Sequence, residues 1–487
     1  MSSQCVHCRS TNTTEVPEQS TATHTAHRCG SCNRMFTVPT LLGKNPWVIN
    51  LASAAMIGAA LIAGPLNPPP GPISSTYKTL SEVEPRVAVS SATTPGDATA
   101  AYIISGPGSY YLTSILVTNL PTTIRVTASG PVTIDLSGYQ IVAQGANTNA
   151  ITQTQSGALV VRNGSIVNFV NGFSGNAGAA AAPVTFDHVG FTGCLSAANT
   201  PSALCVHHCT VFNASAFNAV RGISCGPGSI VTDSSFNQQG NNDLVVGAQS
   251  LISRCAFQGG ASYTVIAGAG STVENSTFTL GNTGLQASGS IVRDCTFSAF
   301  AVAGIDALAG CTVERNSVNS AAGQGAVGIL AEGGCEVRDN KVFGNGNASA
   351  GIQAIGSRNT IARNTVQNFS SVSSGAGGII VGSAAGTGNG GNKIQDNELV
   401  NNWRHLSILA GYNLVVRNTM SFAGPGGNMF ITANNSFGPL ILCNNSDTTR
   451  TYYLKFAAVS NSQGAVMQAF GNTLNSNGES GGRKKPT

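Results

Sequence analysis

An apolar residue followed three positions later by Asn, Cys or Ser, and two further on by a second apolar residue, returns nine times along this chain. The copies begin at Val231, Ile252, Val273, Val292, Val313, Val337, Ile361, Ile394 and Val415. Their eight steps span 184 residues, an average of 23. A unit of that length with strand-like alternation cannot bury its own apolar face, so neighbouring units must stack and share one core. The pattern predicts a solenoid of strands. It also accommodates the length, because 487 residues is long for one compact core while a solenoid grows by adding coils.

Charged residues make up only 9% of the chain, against roughly 25% in an ordinary globular protein. Few helices are solvated by so little charge. Gly alone reaches 59 copies, and with Ala, Ser, Thr and Asn it suits tight turns and strands with neutral polar faces. The net charge of +4 comes partly from Arg483, Lys484 and Lys485 in the tail. Bulk charge therefore implies no nucleic-acid partner.

In its clearest copies the unit opens on Gly-Ile, as at Gly304-Ile305, Gly328-Ile329, Gly351-Ile352 and Gly378-Ile379. A Gly-bearing turn and the apolar anchor follow. Alternation within each unit gives three short strands per coil, with like residues stacked on like. The expected fold is all-β, a single-stranded parallel β-helix. Three positions after the anchor the chain reads Ser234, Cys255, Ser276, Cys295, Asn316, Asn340, Asn364, Asn397 and Asn418. This predicts an internal ladder whose amides satisfy one another, with Asn suited to a left-handed turn. Two positions after the anchor stand Asp233, Arg254, Asn275, Asp294, Arg315, Asp339, Arg363, Asp396 and Arg417. Opposite charges on adjacent coils predict an exterior register device, each exposed pair contributing about 0–1 kcal/mol.

Ahead of the repeats, residues 1–40 carry Cys5-Val-His-Cys8 and Cys29-Gly-Ser-Cys32. Two knuckles that each supply two thiolates make a tetrahedral Zn²⁺ set, closed and therefore structural. The segment resembles the small zinc ribbons at the N-termini of many bacterial proteins. Residues 47–64, from Trp47 to Gly64, form an uncharged apolar run. As a helix it rises about 27 Å, close to the roughly 30 Å of a bilayer core. Arg28, Arg34 and Lys44 precede it and the next charge is Lys78, which predicts a cytoplasmic N-terminus and an exported remainder. Small residues at Gly58-Ala59-Ala60 keep a cleaved, secreted form open as the alternative. A spacer rich in Pro, Ser and Thr fills 65–100, the β-helix is expected over 101–470, and 471–487 is a polar tail.

Residues 65–170 resemble the opening region of bacterial right-handed parallel β-helix repeat proteins of the pectate-lyase-like superfamily. The segments that carry the likeness are PPPGP (68–72), KTLSEVEPR (78–86), TPGD (94–97), GPGSYYLT (106–113), VTIDLSGY (132–139) and VVRNGSI (160–166). The resemblance implies a right-handed coil and export. It leaves activity open, since the superfamily spans lyases, polygalacturonases, epimerases and proteins without known chemistry.

Lyases and hydrolases of this fold, as the resemblance implies, gather carboxylates and basic groups along one exposed strand face. The equivalent positions here are Val245, Ile266, Gln286, Asp306, Leu330, Gln353, Ile380 and Ser407. Asp306 is the one acid among them, with Glu332 two residues past Leu330. The paired aspartates, Gly-His-Gly and Arg-x-Lys of polygalacturonases and an Asp-Pro-His epimerase signature are missing. One constellation stands out: Asp187 and His188 lie one coil before His207 and His208, and Asp233 follows on the next. Such a cluster suits acid–base work or a divalent metal, and equally an exposed polar ladder. Trp403, with Arg404 and His405, offers a sugar platform or a shield for the solenoid. Nine cysteines lie in the repeats and are expected chiefly as buried thiols acting as small apolar residues, although Cys311 and Cys335, on adjacent coils, could bridge.

The function expected from all this is a membrane-anchored, exported scaffold that displays a surface or binds cell-envelope or environmental polysaccharide without turnover. A polysaccharide lyase or glycoside hydrolase using Asp187, His188, His207, His208 and Asp233 is the competing reading. A purely structural spacer is the third.

Overall fold

The computed structural model describes residues 86–421 except 146–148, 176–181, 214–220, 239, 320–325, 346–347, 371–376, 383–389 and 410–412. It also describes Cys32 and the strands Thr13–Glu15, His24–Cys29, Met35–Pro39, Met429–Thr432, Ile441–Ser446 and Leu454–Ala457. Cys5, Cys8, the apolar run 47–64 and the tail 471–487 lie outside the described residues. Among the described residues no helix is long and apolar enough to cross a membrane.

The chain divides into two units, Met1–Val83 and Glu84–Thr487. In the first, His24–Cys29 pairs antiparallel with both Thr13–Glu15 and Met35–Pro39. The step from Cys29, which is buried, to Cys32 falls at the turn between the second and third strands.

The second unit is a parallel β-solenoid with three strands per coil. Arg221–Cys225, Ile230–Thr232 and Ser235–Gln238 pair in parallel with Asn242–Val246, Leu251–Ser253 and Ala256–Gln258 one coil on. The same register carries Val231 onto Ile252, Val273, Val292 and so on to Val415. These anchors are fully buried. Leu244, Val265, Leu285, Ile305 and Ile329 form a second buried column. A third is aromatic: Phe236, Phe257, Phe278 and Phe297 stack with centroids 4.9, 5.0 and 4.4 Å apart. Full burial of such a side chain contributes about 1.5–3 kcal/mol, so every coil adds several of these increments to one continuous core.

The corner after the anchor is sharp. Ser137, Asn163, His188, His208, Asp233, Arg254, Asn275, Asp294, Arg315, Asp339, Arg363, Asp396 and Arg417 all take φ between 51° and 59°. The left-handed residue is therefore the one two positions after the anchor, mostly charged, and the expectation that the Asn ladder three positions after the anchor takes that conformation is corrected. Asn sits one residue later for a different reason. The corner turns the next backbone N–H inward, away from strand pairing, where it needs an acceptor. The side chain of the next coil supplies it: Asn340 N–H donates to Asn364 Oδ1 at 3.0 Å, and Asn364 N–H to Asn397 Oδ1 at 3.0 Å. Each amide also donates backward, as Asn364 Nδ2 does to Val337 O at 2.9 Å. Ser performs the same service in earlier coils, where Cys255 N–H donates to Ser276 Oγ at 3.1 Å.

Two residues before the anchor runs a second internal ladder. Ser250 N–H donates to Ser271 Oγ at 3.1 Å, Cys335 N–H to Asn359 Oδ1 at 2.9 Å, and Asn359 N–H to Asn392 Oδ1 at 2.9 Å. Cys311 and Cys335 belong to this column. They face each other as buried thiols without a disulfide, and the hydrogen bond between them, with burial, pushes the Cys311 thiol up.

The Gly of Gly-Ile has a steric cause. A Cβ on Gly304 would meet the carbonyl oxygen of Gly328 at 2.7 Å and Val318 Cγ1 at 2.8 Å. Asp243 and His405 occupy this same column, as the pairings Ile223 with Leu244 and Ile379 with Leu406 place them. Both are fully buried.

Candidate functional site

The left-handed corner projects its side chain to solvent, and the residue before it alternates outward as well. Two exterior columns therefore run side by side along the flank. In most coils their charges are matched pairwise. Asp233 accepts Arg254 Nε and Nη2, both at 2.7 Å. Asp294 with Arg315, Asp339 with Arg363 and Asp396 with Arg417 repeat this two-point geometry. The neighbouring column pairs Glu274 with Arg293 and Glu314 with Arg338. Each of these acids is gripped by the Arg one coil further on, and Arg315 with Glu314 and Arg338 with Asp339 link the two columns, so that Asp294, Arg315, Glu314, Arg338, Asp339 and Arg363 form one connected network.

Asp187, His188 and His208 break that scheme. Asp187 and His207 are register partners, and the rings of His188 and His208 stack with centroids 4.6 Å apart and planes 20° from parallel. Both predicted juxtapositions are present. Asp187 Oδ1 lies 2.8 Å from His188 Nδ1 and 3.4 Å from His208 Nδ1. His207 turns elsewhere: its Nδ1 is 2.7 Å from Thr232 Oγ1. Asp233 is claimed by Arg254, whose hydrogen bonds hold its carboxyl down at about 2. The five expected residues thus resolve into a group of three and two neighbours engaged with other partners.

From His208 a shallow groove of about 600 Å³ crosses four coils, lined by Thr210, Asp233, Ser235, Arg254, Asn275 and Thr277 among others. It spans about 14 Å at roughly 4.8 Å per coil. Hydroxyls, one amide and one internally neutralised ion pair make up most of its polar lining.

On the first-strand face, Gln286, Asp306, Leu330, Gln353, Ile380 and Ser407 form the expected column. Asp306 is only 7% exposed; its Oδ2 accepts Gln286 Nε2 at 2.9 Å, while Oδ1 has no partner. Glu332 is exposed, and partial burial together with the Asp306 charge raises its carboxyl above the ordinary range. Trp403 is half-buried, with its backbone N–H on Phe369 O at 2.6 Å. His405 is fully buried and receives Asn402 Nδ2 at 3.2 Å. It cannot join Trp403 in a surface platform, because the small-residue column carries it inward.

Asp243 escaped the sequence reading, and so did the burial of His405. Asp243 is fully buried and neither carboxylate oxygen has a partner, so burial pushes its carboxyl up to about 9. Burial lowers His405 to about 4. The available signal was an ionisable residue standing one position before an inward apolar one, where neighbouring coils have Gly or Thr.

No curated protein matches the chain in sequence. Among solved structures, the mannuronan C-5 epimerase A-module of Azotobacter vinelandii is 12% identical, with a TM-score of 0.36, over 66% of this chain and 88% of that one. A mannuronic acid specific polysaccharide family 6 lyase from human gut microbiota is 11% identical, with a TM-score of 0.33, over 77% and 92%. The Dettilon tailspike protein is 15% identical, with a TM-score of 0.28, over 68% and 61%. Within the solenoid, residues 221–368 match the family model described as a right handed beta helix region.

Proposed function

We propose that the chain is a membrane-anchored, exported β-helix that binds polysaccharide along its flank without turning it over. The observation that carries this is the groove running from His208 to Thr277. It is open, several coils long and carries the hydroxyl and amide groups of Thr210, Ser235, Asn275 and Thr277, which suits an extended sugar chain better than a small enclosed substrate. Its one acid, Asp233, is locked to Arg254, so it is poorly placed to exchange protons. Anchoring rests on the uncharged run 47–64 and the basic residues ahead of it. The four cysteines Cys5, Cys8, Cys29 and Cys32 would hold a structural Zn²⁺.

A second reading has its own support. Partial burial and then the Asp306 charge raise the Glu332 carboxyl, and a carboxyl raised in this way is what a general acid on a glycan requires. Incubating the purified protein with a panel of acidic and neutral polysaccharides separates the two. Retention on a glycan with no new reducing ends or unsaturated products is the expected result. Product that disappears in Glu332→Gln would replace the binding proposal with an enzyme. In the same preparation, recovery with membranes checks the anchor, and one zinc per chain, lost in Cys29→Ser, checks the ribbon.

A further inference from the structure

We infer that Asp187, His188 and His208 form a binding site for a divalent transition-metal ion that ties two adjacent coils together. The three offer one ligand atom each, all within 4.8 Å of one another. A four-coordinate ion with bonds of about 2.0–2.2 Å holds its ligands about 3.3–3.6 Å apart by tetrahedral geometry. The separations of 2.8 and 3.4 Å from Asp187 Oδ1 need only a small opening to reach that.

The surrounding columns show why this place differs. Further along the flank, a carboxylate at Asp233, Asp294, Asp339 or Asp396 meets an Arg from the following coil. Guanidinium is a permanent cation with no lone pair to donate. At Asp187 the corresponding neighbours are imidazoles, which do have one. The backbone corner that makes exposed Arg–Asp pairs elsewhere here presents two stacked imidazoles and a carboxylate. Imidazole favours Zn²⁺, Ni²⁺ or Cu²⁺ over Mg²⁺ or Ca²⁺.

Competing partners are otherwise committed. Arg162, the register neighbour of Asp187 on the preceding coil, turns back to Asp135 at 3.2 Å. His207 bonds Thr232, and Asp233 bonds Arg254. With the His188 and His208 side chains 59% and 53% exposed, the remaining coordination positions face solvent. The site shares His208 with the end of the groove, but the inference does not rest on polysaccharide binding.

Equilibrium dialysis of the full chain against Zn²⁺ tests this, with the N-terminal cysteines unchanged in every variant. The double variant His188→Asn/His208→Asn is expected to bind one Zn²⁺ fewer than the wild type. Asn occupies the same corner at Asn163 and Asn275, so the substitution keeps the backbone conformation, and matching thermal melts verify it. Asp187→Asn should weaken the same ion, and His207→Asn should leave it in place. Equal zinc counts in the wild type and the double variant would overturn the inference. So would loss of the ion in His207→Asn, or undiminished affinity in Asp187→Asn.

Discussion

Asp243 is the residue at which the fold departs furthest from its own rule. Its column tolerates Gly because a Cβ crowds the next coil, yet here stands a carboxyl with no hydrogen-bond partner. Such a group stays protonated when folded and ionises near its ordinary pKa of about 3.9 when unfolded. With a folded pKa of about 9, its contribution to stability is whole below about pH 4 and is lost as pH rises toward 9. The slope is about 1.4 kcal/mol per pH unit across that window. His405 acts in the opposite sense. Its folded pKa of about 4 lies below the ordinary value of about 6.5, so its contribution is present above 6.5 and lost as pH falls toward 4. As far as these two groups go, stability should be level from about pH 4 to 6.5 and fall from there to 9. Denaturant melts of Asp243→Asn should lack that fall. An unchanged slope above pH 6.5 would show that Asp243 is not the buried acid responsible.

At the scale of the coil corner, neighbouring residues with similar prominence in the sequence differ sharply in what they hold up. Arg363 makes an exposed pair with Asp339, the kind worth little because water screens it. Asn364, next in the chain, is buried and accepts from both the backbone and the side-chain N–H of Asn340 while donating to Val337 O and Asn397 Oδ1. Removing it strands a buried N–H, at about 1–3 kcal/mol for each unsatisfied group. Asn364→Ala should therefore lower the urea midpoint clearly, and Arg363→Gln should barely move it. Comparable losses in the two would mean that the exterior pairs carry the register after all. The anchor column and the ladder three residues after it were legible because nine apolar anchors recur about 23 residues apart and Asn fills that ladder in five consecutive coils, Asn316 to Asn418. The ladder two residues before the anchor recurs as well, but as Ser, then Cys, then Asn. No single residue type advertised it, and only hydrogen bonding unites the three. The burial of Asp243 and His405 was illegible for the opposite reason: each occurs once, and a lone exception to a period looks like loop chemistry until the register is known. The His188–His208 stack was legible because one coil's spacing sufficed to superpose it, whereas the engagement of Asp233 by Arg254 depended on side-chain reach that spacing does not encode.

For the solenoid as a whole, stability is a sum of coil terms and nearest-neighbour contacts, and this has a consequence that a compact domain would not share. Ile252 and Val273 stand in one column, so excising residues 252–272 removes one full coil and joins Leu251 to Val273. Every interior column then closes on an equivalent residue: Ser250 meets Ser290 and Phe236 meets Phe278. Asp233 loses Arg254 and faces Asn275, an exposed loss that costs little. Such a chain should fold to the same strand content per residue and melt cooperatively. Excising residues 252–261 instead removes part of a coil, brings apolar side chains onto polar columns and leaves backbone groups unpaired. That variant should be unfolded or aggregated. Far-ultraviolet circular dichroism and thermal melts of the two deletions decide the matter, and failure of the full-coil deletion alongside the partial one would mean that the coils are not interchangeable. In that event some coil-specific feature, with the buried Asp243 just upstream of the excised coil as the first suspect, would have to be setting the register of the whole.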